Sequence, residues 1–332
     1  MATSAYTFSP KEWKAAVVSD ATNAGATGIG TTMNQLDVDS VSFPSLNVTQ
    51  AMDVRSGVGA TLKDEDFFQD NKIRVVELGL SGTLHDDVGH RLLIANICGA
   101  AQADDTNQTI ASGHKIIAQL YGAAVTNNAS SLTVVLQPSD VSNQTGLELF
   151  GCVVTNFTIS ADAGTEGGRY KWSATLQTGK TPDLASTAAA GSTAYENTTG
   201  TTLADASVTK IFNKDAMLNS FTTTIDYPAV FSGISSTGYQ QVARSAKCSV
   251  THDCQVKYDS ETKGLVNSFD GQTAAMAENT FIIANNGKFG VDTANGVLTN
   301  VAYSEGDIMM LDVSIEAVDD GTDELLIIDL SD

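Results

Sequence analysis

Two stretches of this chain, about half its length apart, read as copies of one module, and an internal repeat constrains a fold more than any single motif does. Gly151-Cys152-Val153-Val154-Thr155-Asn156-Phe157 is answered by Asn295-Gly296-Val297-Leu298-Thr299-Asn300-Val301. Each is followed by a Glu-Gly pair, Glu166-Gly167 or Glu305-Gly306, and then by an alternating strand. Front segments match too: Leu46-Asn47-Val48-Thr49 answers Leu218-Asn219-Ser220-Phe221-Thr222, and Asp87 to Leu93 answers Asp259 to Leu265, both at an offset of 172. At the back the offset is 144, so the first copy carries 28 further residues, visible as the polar run Ala101 to Ser131. An offset that stays constant and changes once, at a loop, points to a duplicated domain.

Size agrees, since 332 residues suit two domains of roughly 100 to 150 residues better than one core. The expected division is an N-terminal arm or loop over 1–40, a first domain over 41–180 with its insertion at 101–131, a linker over 181–212, and a second domain over 213–332. Hydrophobic residues make up 42% and charged residues only 17%, which leaves Thr, Ser, Asn, Gln and Gly to cover the surface. Such a surface suits β-structure and packing between subunits. With 18 basic against 39 acidic residues the net charge is −21. That disfavours direct affinity for nucleic acid, which depends on Lys and Arg displacing counterions. The acidic surface either keeps the chain soluble or faces an anion that must not stick.

Met1-Ala2-Thr3-Ser4 begins without a basic and apolar leader pattern, so no secretory signal is expected. No apolar run approaches the roughly 20 residues of a membrane span, and the chain reads as soluble. Cys98, Cys152, Cys248 and Cys254 are accordingly expected to be reduced and buried.

Along the chain, Gly25, Gly28 and Gly30 lie in a small, polar stretch that lacks the preceding strand and following helix of a dinucleotide-binding turn. From Ile73 a strand is expected, with Val76, Leu78 and Leu80 on one face and Glu77, Gly79 and Ser81 on the other. Asp86 or Asp87 then caps a helix with an apolar stripe of Val88, Leu92, Ala95 and Ile97 ending at Gly99. The second copy repeats this, with Val250, Cys254 and Val256 inward on a strand and Asp259-Ser260-Glu261 capping a helix through Leu265, Val266 and Phe269. Apolar strands follow at Leu132–Gln137 and Thr280–Ala284, and each leads into the repeated hairpin. Period-two alternation with one polar face is the pattern of an antiparallel sheet covered on one side.

Catalytic chemistry finds little support. His85, His90, His114 and His252 are the candidate bases near neutral pH, and no nucleophile elbow, metalloprotease pair or phosphate-binding loop accompanies them. Cys248, His252 and Cys254 share one strand face, but residues two apart on a strand lie about 6.6–6.8 Å apart, too far to share a zinc easily. A buried apolar face is the expected outcome. His85-Asp86-Asp87 with His90 reads as a helix N-terminus, and Asp64-Glu65-Asp66, Asp319-Asp320 and Asp323-Glu324 as solvated turns. Neither a catalytic residue, a metal nor a cofactor is nominated.

With those residues in place, the chain resembles the tail tube proteins of long-tailed bacteriophages, in the variant where one polypeptide holds two tube domains. The resemblance rests on the hairpin Gly151 to Gln177 and on Gly296-Val297-Leu298-Thr299-Asn300-Val301 leading through Glu305-Gly306-Asp307 to Leu311-Asp312-Val313-Ser314-Ile315-Glu316-Ala317. It implies a mainly β fold with a few short helices: two tandem β-sandwich or half-barrel domains, each with a flanking helix. It implies no enzyme activity and assigns Val153, Thr155, Phe157, Trp172, Leu176, Val297, Thr299, Val301, Leu311, Val313 and Ile315 to hairpin strands that build a ring. A duplicated chain would form homotrimers, three chains supplying six ring positions. Rings would stack into a hollow conduit in the virion tail, built in the host cytoplasm around a tape-measure protein and bounded by tail-terminator and distal tail proteins, with DNA passing through unbound. The arm and the insertion would mediate ring contacts or decorate the outside. Other readings of the same residues are a distal tail or capsid decoration protein and a surface β-sandwich adhesin or layer protein.

Overall fold

Alternating apolar residues are satisfied here by two stacked β layers, in a computed structural model that describes residues 12–20, 33–45, 50–52, 67–69, 74–85, 87–98, 115–118, 131–138, 146–183, 202–206, 208–235, 238–245, 247–270, 280–285, 289–304, 307–319 and 325–330. In chain order the first half contributes β1 (Trp13–Asp20), β2 (Asn34–Leu36), β3 (Ser40–Ser42), β4 (Gln50–Met52), β5 (Phe67–Gln69), β6 (Val76–Thr83), helix α1 (Val88–Cys98), β7 (Lys115–Ala118), β8 (Ser131–Pro138), β9 (Leu147–Asp162) and β10 (Lys171–Thr178). The second half contributes β11 (Val208–Ile211), β12 (Lys214–Asp215), β13 (Leu218–Asp226), β14 (Ala229–Ser235), β15 (Gly238–Arg244), β16 (Ser249–Lys257) and helix α2 (Lys263–Asp270). It ends with β17 (Phe281–Asn285), β18 (Phe289–Thr293), β19 (Gly296–Ser304), β20 (Met310–Ala317) and β21 (Leu326–Leu330). The fold is mainly β with two α-helices among the described residues.

One layer is a long antiparallel sheet in the order β19-β20-β16-β13-β9-β10-β6-β3. Its first four strands and its last four follow one plan: the two strands of the repeated hairpin, then the strand before the helix, then a front strand. The blocks meet where β13 pairs with β9, Ile225 opposite Phe157 and Thr223 opposite Ile159. The other layer repeats as well. β2-β1-β8 adjoins the start of β9, and β12-β11-β17 adjoins β18. β9 serves both layers, because the chain bends at Gly151, whose φ of 61° is costly for any residue with a side chain.

Inward residues of both blocks merge into one contiguous core. Tyr170 bridges them, its ring 4.3 Å from Phe289 and 5.8 Å from Phe221. Helix α1 starts where Asp87 Oδ1 accepts the His90 amide at 2.8 Å, and the turn before α2 is fixed in the same way by Asp259 Oδ1 and the Thr262 amide at 3.1 Å. Both caps keep the offset of 172.

Several expectations need correction. Trp13–Asp20 is no arm: it pairs along its length with β8 and buries Ala15 and Val17, a strand pattern disguised by glycine-rich neighbours. The expected linker ends in Leu203, which is buried, and in β11, which pairs with β17. Within the insertion, β7 pairs with β21 and so joins the sheet of the second half. On α1 the inward face is His90, Leu93, Ile94 and Ile97, whereas Val88 is 53% exposed, because the strands beneath the helix select a stripe rotated from the expected one. Residues 46–49, expected to correspond to 218–222, lie outside the described residues. The place beside β6 that corresponds to β13 is held by Ser40–Ser42. Gly25, Gly28, Gly30, His114, Asp64–Asp66 and Asp323–Glu324 also lie outside the described residues.

Candidate assembly surface

The Val-Thr-Asn core of the repeat marks the same structural event in both copies. Along β9 and β10, Asn156 faces Thr175 and Val154 faces Leu176, so Thr155 has no residue opposite. Along β19 and β20, Asn300 faces Ser314 and Leu298 faces Ile315, so Thr299 has none. Each is a β-bulge, one extra residue on one strand that locally sharpens the twist. Threonine suits it because its hydroxyl reaches across: Thr155 Oγ1 donates to the Thr175 carbonyl at 3.2 Å and Thr299 Oγ1 to the Ser314 carbonyl at 3.0 Å. The bulge also breaks strict alternation, which is why Val153 and Val154 are both buried.

The face of the long sheet turned away from the core is polar. Ser160, Thr158 and Asn156 of β9 continue into Thr222, Thr224 and Asp226 of β13, then into Asp253, Thr251 and Ser249 of β16. Six carboxylates lie in these outward rows, Glu77, Asp162, Asp226, Asp253, Asp312 and Glu316, against the two lysines Lys171 and Lys257. Neutral side chains tie part of it down, with Gln255 Nε2 donating to Asp312 Oδ1 at 2.9 Å and Ser314 Oγ to Asp253 Oδ1 at 2.6 Å. Lys171 Nζ sits 3.0 Å from Asp39 Oδ2 and 2.8 Å from Glu166 Oε2.

At the ends of the sheet, β19 and β3 each have one partner strand among the described residues. Of the expected ring-forming residues, Val297, Thr299 and Val301 lie on that open edge strand, half-buried or exposed. Val153, Thr155, Phe157, Trp172, Leu176, Leu311, Val313 and Ile315 are buried inside the chain; Phe157, Trp172, Leu176, Leu311, Val313 and Ile315 belong to the contiguous core, whereas Val153 lies opposite Gln177 of an outward row.

Residues that could suggest chemistry are committed to structure. His252 lies between Thr223 Oγ1 at 2.9 Å and Thr293 Oγ1 at 2.8 Å, stacked 4.1 Å from the Phe281 ring, and burial pulls its pKa down to about 3. Both of its ring nitrogens face threonine hydroxyls, and no cluster of potential metal ligands occurs among the described residues. None of the four cysteines forms a disulfide, and burial pushes the Cys98 and Cys254 thiols far up and Cys248 up to about 12. His85 Nε2 meets Asp37 Oδ2 at 2.7 Å, and His90 Nδ1 meets the capping Asp87 at 2.8 Å.

Sequence patterns did not single out the β14–β15 hairpin, which forms a separate two-stranded sheet and exposes Val230 and Ile234, nor Arg244 at its base. The Arg244 guanidinium donates to the carbonyls of Val154 at 2.8 Å, Tyr227 at 2.6 Å and Asn96 at 2.9 Å, and lies 4.5 Å over the Tyr227 ring. Only a lone arginine in a Gln-rich strand could have signalled it.

The bulged hairpin thus occurs twice on one continuous sheet. Residues 69–317, three quarters of the chain, match the family model described as phage tail tube protein. The chain belongs to that family. It is a structural tail tube protein, a component of the phage virion tail that assembles with copies of itself and with other tail proteins. No curated protein matches it. In this tail tube protein, no helix among the described residues is long and apolar enough to cross a membrane.

Proposed function

We propose that this tail tube protein forms three-fold rings in which each chain supplies two of six equivalent positions, and that the rings stack into the conduit for viral DNA. The carrying observation is the order β19-β20-β16-β13 followed by β9-β10-β6-β3, the same plan twice on one sheet with the threonine bulge at the same place. On this reading the chain is two tube domains. Their boundaries shift from the expected ones, with β1 and β2 in the first and β11 in the second. Three chains of eight strands each would close a barrel of 24 strands (3 × 8), and barrels well above eight strands leave an open lumen. Closure also removes sheet edges that otherwise invite aggregation.

The polar face of the sheet lines this lumen. Six carboxylates against two lysines repel phosphate and offer few cations to displace its counterions, so DNA slides instead of binding. A tape-measure protein fills the lumen during assembly in the host cytoplasm, and tail-terminator and distal tail proteins cap its ends.

Negative-stain microscopy and light scattering of the purified chain test the reading. Three-fold rings or hollow tubes are the expected result. A monomer that stays monomeric at high concentration, in the presence and absence of other tail proteins, would rule the ring out.

A further inference from the structure

We propose that the open edge of β19 pairs with the β3 edge of a second copy of this chain, antiparallel, with Phe43 opposite Tyr303 and Ser42 opposite Ser304. The inference rests on the ring reading and deepens it by assigning the edges and their register. Its template lies within the chain, at the joint where β13 meets β9.

Cross-strand rows fix the correspondence between blocks. In one block a row runs Val41, Leu80, Ala174, Phe157; in the other it runs Phe221, Cys254, Val313, Val301. Val41 therefore stands for Phe221, and Phe157 for Val301. The bulges agree independently, since Thr155 to Thr299 is the same step of 144 residues as Phe157 to Val301. Inside the chain, Thr223 faces Ile159 and Thr222 faces Ser160. Carried across, these pairs become Phe43 with Tyr303 and Ser42 with Ser304.

Burial and composition favour this occupant. Ile159 and Thr223 are 0% and 1% exposed, whereas their counterparts Tyr303 and Phe43 are 50% and 38% exposed. Each exposed ring is already backed by another, Phe43 by Trp13 at 5.0 Å and Tyr303 by Tyr258 at 5.7 Å, so the joint would close over apolar surface on both sides. Soluble proteins usually blunt open edges with charge or proline. Neither Gly296–Ser304 nor residues 40–45 contain a charged residue, and Pro44, which has no amide to donate, limits the ladder to the first residues of that edge. Seven strand spacings separate the two edges within one chain, about 33 Å, so the pair can form only between chains.

The test is disulfide cross-linking of the double variant Phe43→Cys/Tyr303→Cys under mild oxidation, with the same sample viewed by negative stain. Residues directly opposed on antiparallel strands lie about 4.5–5.5 Å apart at Cα, within disulfide reach. Covalent dimers and trimers should dominate a non-reducing gel. Each single variant, and the pair Phe43→Cys/Val301→Cys shifted by two residues, should give at least ten-fold less. If loss of the aromatic rings prevents assembly, Ser42→Cys/Ser304→Cys keeps them and should give the same ladder. Rings that form without cross-linking at either pair, or that cross-link equally at the shifted pair, would overturn the register while leaving the ring intact. A wild-type chain that forms no ring would overturn both.

Discussion

The hairpins β9/β10 and β19/β20 share a bulge, a threonine and a hydrogen bond, yet they differ in what surrounds them. β9 lies between β10 and β13, and its Phe157 and Ile159 are fully buried. β19 has β20 on one side only among the described residues, with Tyr303 half exposed and Val301 half-buried. Bulge geometry is local, requiring one threonine and one facing strand, so it recurs wherever the sequence pattern does. Burial depends on neighbours, so it does not. A repeated motif thus carries its shape to a new place without carrying its energetic weight.

That contrast can be broken at matched positions. The largest difference is expected between Phe157→Ala and Val301→Ala in urea unfolding of the unassembled chain: a loss of about 3–5 kcal/mol for the buried ring against about 1 kcal/mol for the half-buried valine. Similar losses would mean that the edge is already covered.

His252 occupies the row position that Leu78 fills in the other block. Its folded pKa of about 3 lies below the ordinary 6.5, so between those values the unfolded chain binds the extra proton and stability falls as pH falls. Whatever His252→Leu costs at pH 7, its disadvantage should shrink by about 2–3 kcal/mol at pH 4.5. An unchanged gap between denaturation midpoints at the two pH values would show that His252 can take up a proton in place.

Removing the helix caps, Asp87→Ala or Asp259→Ala, should cost about 1 kcal/mol each, read as matched drops in melting temperature. Smallest is the bulge itself. Thr155→Val should lose about 0.5 kcal/mol and the exposed Thr299→Val only a few tenths, with the bulge retained in both by amide exchange.

Where alternation was undisturbed, the strands could be read directly: β6, β10, β16 and β20 follow the expected inward and outward rows. Both capping aspartates were also legible, because a cap needs only its own first turn. What stayed hidden depended on distant partners. β1 looked like coil because only its pairing with β8 shows it to be a strand, whereas β8 itself was expected as an apolar strand even though burial on both faces removes the period-two signal. The α1 stripe was misjudged because the strands below decide which side faces inward. Trp172, expected on a ring-forming strand, lies on β10 as a core residue whose Nε1 donates to the Thr83 carbonyl at 3.1 Å, a partner the sequence does not indicate. Open edges have no sequence signature of their own beyond the lack of charge in 296–304.

Arg244 links segments that lie far apart in the chain, since its acceptors on Asn96 and Val154 are 148 and 90 residues away. A largely buried guanidinium costs heavily to desolvate unless its donors are met, and burial already draws its pKa down. Those carbonyls stand in place only when the first half has folded. The two halves are therefore coupled in cooperativity as well as in shape: the free chain should melt in one calorimetric transition, and Arg244→Ala should loosen that unity before it disturbs either half.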